Sequence, residues 1–220
     1  MVSAAAPSPP KSWLWFECAI AFVGVPAALT LYPTSWDGHV ALWSYSIYAI
    51  TSLTRMRGFS WRTLWQGDGW STKHRFHALL RFFAATPAIV ILTYLIVPQR
   101  LFLFPMMRFK FWLMVMLLYP ILSALPQELV FRSYFFQRYR ELFPEPLPML
   151  AANSVVFAVA HALFHNWVSP LLCVVAGGLF SWSYMQHRSL KWAAIEHGVY
   201  GCMIFTIGIG AFFLVNGLNR

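Results

Sequence analysis

Six side chains in this sequence have the chemistry and spacing to move protons: Glu128, Arg132, His161, His165, Glu196 and His197. Glu128 and Arg132 are four residues apart, directly after a long apolar run, so on a helix they share one face. A carboxylate there can act as a general base toward water, with the guanidinium orienting it. The same spacing also makes a purely structural ion pair. His161 lies inside another apolar run, where a neutral imidazole transfers a proton, binds a metal, or is a core histidine satisfied by its neighbours. His165 follows one helical turn later, the spacing of a two-histidine metal site. Ala162, Leu163 and Phe164 between them include no glutamate of the H-E-x-x-H type. His197 directly follows Glu196, and adjacent helical side chains diverge by about 100°. The two therefore divide: His197 is expected to face a cavity, and Glu196 to lie near the cytoplasmic boundary, within reach of Arg188 or Lys191.

The elements that must position these groups are membrane helices. The chain has 220 residues, of which 59% are hydrophobic, 18% aromatic and only 10% charged. A soluble domain carries about 25% charged residues. At about 20 apolar residues per span, this length accommodates an all-α polytopic membrane protein. The expected architecture is one compact bundle with room for six to eight spans. The net charge of +9 fits a positive-inside bias and anionic headgroups, so a lipid bilayer and not nucleic acid is the expected partner. Cys18, Cys173 and Cys202 lie far apart in apolar runs, with neither metal nor redox spacing, and read as small core residues.

Taken in order, a polar, Pro-rich tail precedes a first span at 12–32, which reads as a retained anchor. A turn at 33–38 leads to a shorter span at 39–54. Residues 55–75 interleave Arg55, Arg57, Arg62, Lys73 and Arg75 with Trp61, Trp65 and Trp70, a mixture suited to the headgroup level. Spans are expected at 76–97 and 109–125, with Pro126 ending the latter and a separate helix running from Gln127 to about Leu142. Further spans are expected at 149–165, 171–186 and 192–216, with Gly177 and Gly178 allowing close helix contact. An N terminus inside places the basic segments 55–75, 132–140 and 188–191 on the cytoplasmic face. The loop 98–110, with Arg100, Arg108 and Lys110, breaks that pattern.

Three short motifs recur in one order: QELVFR at 127–132, FAVAH at 157–161 and HGVYG at 197–201. Together they resemble the CAAX-protease and bacteriocin-processing family of intramembrane glutamic endopeptidases. That family is marked by Glu-Glu-x-x-x-Arg, Phe-x-x-x-His and a later histidine, often His-x-x-x-Asn or Asp. The resemblance divides the chain into N-terminal membrane helices with an interfacial loop, 1–110, and a catalytic core, 111–216. It implies a bundle of about seven to eight transmembrane helices with a polar cavity open toward the cytoplasmic side, and hydrolysis of a peptide bond in a membrane-associated protein or peptide; the small size fits a multi-pass protein of a bacterial inner membrane. Glu128 and His161 would activate water, His197 would stabilise the oxyanion and Arg132 would orient Glu128. It implies a mechanism without a cofactor, with a divalent metal on Glu128, His161 and His197 as the alternative.

Two positions depart from the family pattern. Gln127 stands where the family has its first glutamate, and an amide is not basic near neutral pH. Gly201 stands where the family often has Asn or Asp to help hold the oxyanion, a role that Asn153 or the Gln127 amide would have to fill. These departures motivate a second reading, an inactive family member that binds a membrane peptide or partner. A proton-coupled carrier using Glu128 and His161 would call for inverted repeats or matched broken helices, and the sequence has neither.

Overall fold

A computed structural model describes residues 9–32, 37–56, 58–68 and 71–214. Among these the chain is all-helical, without strands. In order the helices are α1 (Lys11–Leu31), α2 (Asp37–Thr54), α3 (Trp61–Gln66), α4 (Thr72–Ile96), α5 (Leu103–Met107), α6 (Phe109–Arg138), α7 (Pro146–Phe164), α8 (Val168–His187) and α9 (Leu190–Ile207). Five of them, α1, α4, α6, α7 and α8, are long and apolar enough to cross a membrane. The outward faces agree: Leu95, Phe83, Leu117 and Val175 are each more than 60% exposed, which only an apolar solvent makes cheap. The protein is a multi-pass integral membrane protein.

The main difference from the sequence-based expectation is α6. Pro126 does not end a span; one helix runs from Phe109 to Arg138. Two widened, π-type turns, Pro120–Ala124 and Leu129–Tyr134, relieve it. A proline lacks an N–H and crowds the carbonyl four residues back, and a wider turn removes that conflict. The Met116 carbonyl, four before Pro120, takes the Cys202 thiol instead, at 3.7 Å. Helix α1 uses the same device, with a widened turn at Ile20–Gly24 ahead of Pro26.

The last helix is also shorter than the expected 192–216. It ends at Ile207, where Gly208 turns at φ 123° and a short 3-10 turn, Ile209–Phe213, follows. A Cβ on Gly208 would overlap the Arg100 carbonyl, so this end of α9 is built around the 98–108 connection. That connection is a 3-10 turn and the short helix α5, and Phe102 N donates to the Ile207 carbonyl at 2.9 Å. The polar tail at 1–8, the turn residues 33–36, Arg57, Trp70 and residues beyond 214 lie outside the described residues.

Packing is closest where glycine removes a side chain. A Cβ on Gly177 of α8 would stand 3.0 Å from the Ser154 Cα of α7, the close contact expected of the Gly177–Gly178 pair. Within the basic, Trp-rich segment Trp61–Gln66 form α3, and this stretch docks on the α8–α9 turn: Ser189 donates to the Trp65 carbonyl at 2.6 Å, and Asp68 N to the His187 carbonyl at 2.8 Å. At the core, Phe22 of α1 meets the edges of Tyr45, Phe131, Phe135 and Tyr139, tying α1 and α2 to α6.

Candidate active site

Helix α6 carries Tyr119, Ser123, Gln127, Glu128 and Arg132, and its second widened turn opens directly after Glu128. Such turns concentrate at functional positions because they re-aim the side chains around them. Glu128 and Arg132 are both fully buried, with Arg132 Nε 3.3 Å from Glu128 Oε2. The guanidinium lies between two aromatic rings, 4.4 Å from the Phe157 centroid and 5.5 Å from that of Phe180. The other carboxylate oxygen, Oε1, is 2.8 Å from His197 Nδ1 on α9. The His197 ring stacks on Phe180 at 4.8 Å, and its Nε2 is 3.0 Å from the Tyr119 hydroxyl.

This geometry fixes protons. A carboxylate only accepts, so His197 Nδ1 carries the hydrogen that points at Glu128. With His197 in that neutral tautomer, Nε2 presents a lone pair into which Tyr119 donates. His161 is arranged in parallel. It caps the α-helical part of α7, and its Nδ1 donates to the Phe157 carbonyl at 2.7 Å, which leaves Nε2 as an acceptor.

Tyr119, Gln127, His161 and His197 line one cavity of about 1190 Å³. Ile20, Leu122 and Val175 also line it and are at least 44% exposed, so it reaches the lipid-facing surface. Glu128 and Arg132 lie behind this wall. Gln127 donates through Nε2 to Ser123 at 2.8 Å, and its Oε1 is buried with no partner among the described residues. The cavity wall therefore carries His161 Nε2 and the Tyr119 oxygen as acceptors, with Gln127 Oε1 buried just behind its surface.

Several expectations are corrected here. His165 is exposed and turns at φ 53°, after the helix has ended, so it is not one helical turn beyond His161 on a common face. Glu196 pairs with Arg81 of α4 at 2.9 Å, not with Arg188 or Lys191. Asn153 is fully buried, donating to the Phe131 carbonyl and accepting from Ser181, so it supplies nothing to the cavity. Of the three residues in the metal alternative, His197 has both ring nitrogens in hydrogen bonds and Glu128 is held by Arg132 and His197. Among the described residues no group of three or more His, Cys, Asp or Glu is arranged to hold a metal ion.

Two contributors escaped the sequence reading. Tyr119 and Ser123 sit eight and four residues before Gln127, positions that share its helical face, but a tyrosine in an apolar run reads as packing. The clue is Gly201. A Cβ there would overlap the Tyr119 ring, so the missing side chain at 201 and the tyrosine at 119 are one feature.

Comparison with known proteins agrees with the motifs. Residues 109–203 match the family model of the type II CAAX prenyl endopeptidase Rce1-like domain. No curated protein and no solved structure matches the chain. The matched segment, a little under half of the chain, contains all three motifs as well as Tyr119, Glu128 and His197.

Proposed function

We propose that this protein is an intramembrane endopeptidase that hydrolyses a peptide bond in a membrane-associated protein or peptide, in a bacterial inner membrane. The observation that carries this reading is the meeting of Gln127, His161 and His197, from three helices, on one cavity that reaches the lipid face. The match to a CAAX prenyl endopeptidase family makes a prenylated C-terminal CAAX peptide the first substrate class to test.

The geometry favours a division of labour different from a Glu128 base. Glu128 is sealed between Arg132 and His197 and acts as a positioning residue. Gln127 Oε1 and His161 Nε2 accept hydrogen bonds from the attacking water and orient it. The proton goes to His197. An imidazolium there forms 2.8 Å from a carboxylate, as in a Ser-His-Asp triad. At His161 it would be backed only by the Phe157 carbonyl, leaving a buried cation without a counter-charge.

A second reading has its own observation: the cavity wall carries the Gln127 amide where a carboxylate would serve as base. On that reading the protein binds a membrane peptide without cutting it. The deciding experiment reconstitutes the protein in lipid vesicles with quenched fluorogenic peptides, anchored by a prenylated C-terminal cysteine or by an apolar helix. The peptidase reading expects cleavage that is lost in His197→Ala. A silent wild type combined with an active Gln127→Glu variant establishes the binding reading.

A further inference from the structure

Resting on the peptidase reading, we propose that the Tyr119 hydroxyl is the group that touches the attacking water and relays its proton to His197. The geometry leaves His197 little alternative. Its Nδ1 is committed to Glu128 at 2.8 Å and its Nε2 to Tyr119 at 3.0 Å. Water in the cavity therefore meets the phenolic oxygen, whose proton points at His197 and whose lone pairs remain available. Hydroxyl, imidazole and carboxylate form one chain, the arrangement that makes a hydroxyl oxygen basic.

The tyrosine is held in place for this. Its ring meets His197 edge-on at 6.0 Å and Phe205 at 5.4 Å, and it occupies the space a side chain at 201 would need. Glycine at 201 is thus the condition for a phenol reaching His197. The relay also answers the loss of the motif carboxylate: Gln127 orients the water, and the Tyr119–His197–Glu128 chain supplies the base that Gln127 cannot.

The step balances. The water oxygen bonds to the peptide carbonyl carbon as one water O–H breaks, and that proton binds the Tyr119 oxygen. The Tyr119 proton moves to His197 Nε2, giving an imidazolium beside Glu128. When the tetrahedral adduct collapses and the C–N bond breaks, the proton returns from Nε2 through Tyr119 to the leaving nitrogen. The products are a carboxylic acid and an amine, and the enzyme is restored.

The test uses the vesicle assay with the same fluorogenic peptides and three variants. Tyr119→Phe keeps the ring and removes the hydroxyl; kcat is expected to fall about 100-fold or more with KM little changed. Adding Gln127→Glu to Tyr119→Phe puts a carboxylate base on the cavity wall, so at least about tenfold of the loss should return. Adding Ser123→Ala to Tyr119→Phe instead should return nothing. The proposal is overturned if Tyr119→Phe cleaves within about twofold of wild type, which leaves the peptidase reading standing. It is equally overturned if the loss is real but Gln127→Glu fails to restore turnover, the behaviour of a merely structural tyrosine. A wild type that cleaves none of the peptides removes the peptidase reading and the relay together.

Discussion

Two glutamates meet helix α6, the fully buried Glu128 and the half-buried Glu17, and they are built differently. Glu17 of α1 is saturated: it accepts from the Tyr134 hydroxyl at 2.7 Å, Arg138 Nε at 2.9 Å and the Tyr139 hydroxyl at 3.1 Å, with Arg138 Nη2 closing a bidentate pair. Glu128 has less. Its Oε1 has one imidazole, its Oε2 faces Arg132 at 3.3 Å, and Arg132 Nη1 and Gln127 Oε1 beside it are buried without partners. A saturated network locks two elements together and has nothing left to offer. An unsaturated one, next to a cavity, is a place where the missing partner arrives with water or substrate. The Glu17 cluster is the clasp that fixes α1 against the end of α6, and the Glu128 cluster is where chemistry is expected.

The comparison breaks most visibly if the two glutamates are exchanged for glutamine. Glu128→Gln offers His197 Nδ1 an amide that can donate, which selects the wrong tautomer. Turnover should fall by about 10⁴-fold, the scale seen when a triad carboxylate is neutralised. Glu17→Gln should leave turnover per folded molecule unchanged and instead lower stability, by about 1–2 kcal/mol, because the partly exposed Arg138 loses its counter-charge but is still reached by solvent. Cleavage kinetics and thermal unfolding in detergent read the two effects separately. A Glu17→Gln variant that folds normally but loses turnover would erase the distinction.

Gly201→Ala is the next largest effect. Its Cβ would overlap the Tyr119 ring, so the ring must turn away from His197. The expected cost in stability is about 1–3 kcal/mol, as for other overpacked sites. Turnover should fall by about 100-fold, because the phenol loses contact with the base. Gly198→Ala is the control: its Cβ would stand 3.1 Å from Pro120, a contact that a small shift relieves without moving the Tyr119 hydroxyl. If the two variants lose the same turnover, the effect is packing and not the Tyr119 contact.

Why the two clusters were unequally legible in the sequence follows from what each depends on. Glu128, Arg132, His161 and His197 were readable because ionisable groups are rare in apolar runs and their spacing relates them to helical faces. That Gln127 and not Glu128 would line the cavity was not readable. The two neighbours differ by one helical step, and the widened turn after Glu128 sets which one faces inward. Glu17 was visible as a charge within the first span, yet nothing local announced its partners, which lie more than a hundred residues away. The extent of α6 was misjudged because Pro126 reads as a stop unless the wider turn that accommodates it is known. Glu196 was assigned a neighbour in sequence, whereas tertiary packing brings Arg81 across from α4.

The finest test concerns the water-orienting end of the site. Gln127 can turn either end of its amide toward Ser123, and here Nε2 donates to Ser123 Oγ at 2.8 Å, which leaves the carbonyl end for a partner. Ser123→Ala removes that selection without adding volume. One neutral hydrogen bond is worth about 0.5–1.5 kcal/mol, so the amide should flip in part of the population and turnover should fall about three- to tenfold. Stability should hardly change, since the lost hydroxyl belongs to neither clasp nor ion pair. Ser123→Thr, which retains the acceptor, should keep most of the activity. A Ser123→Ala enzyme at full turnover would mean that the orientation of Gln127 does not matter, and the water would then have to be held by His161 and Tyr119 alone.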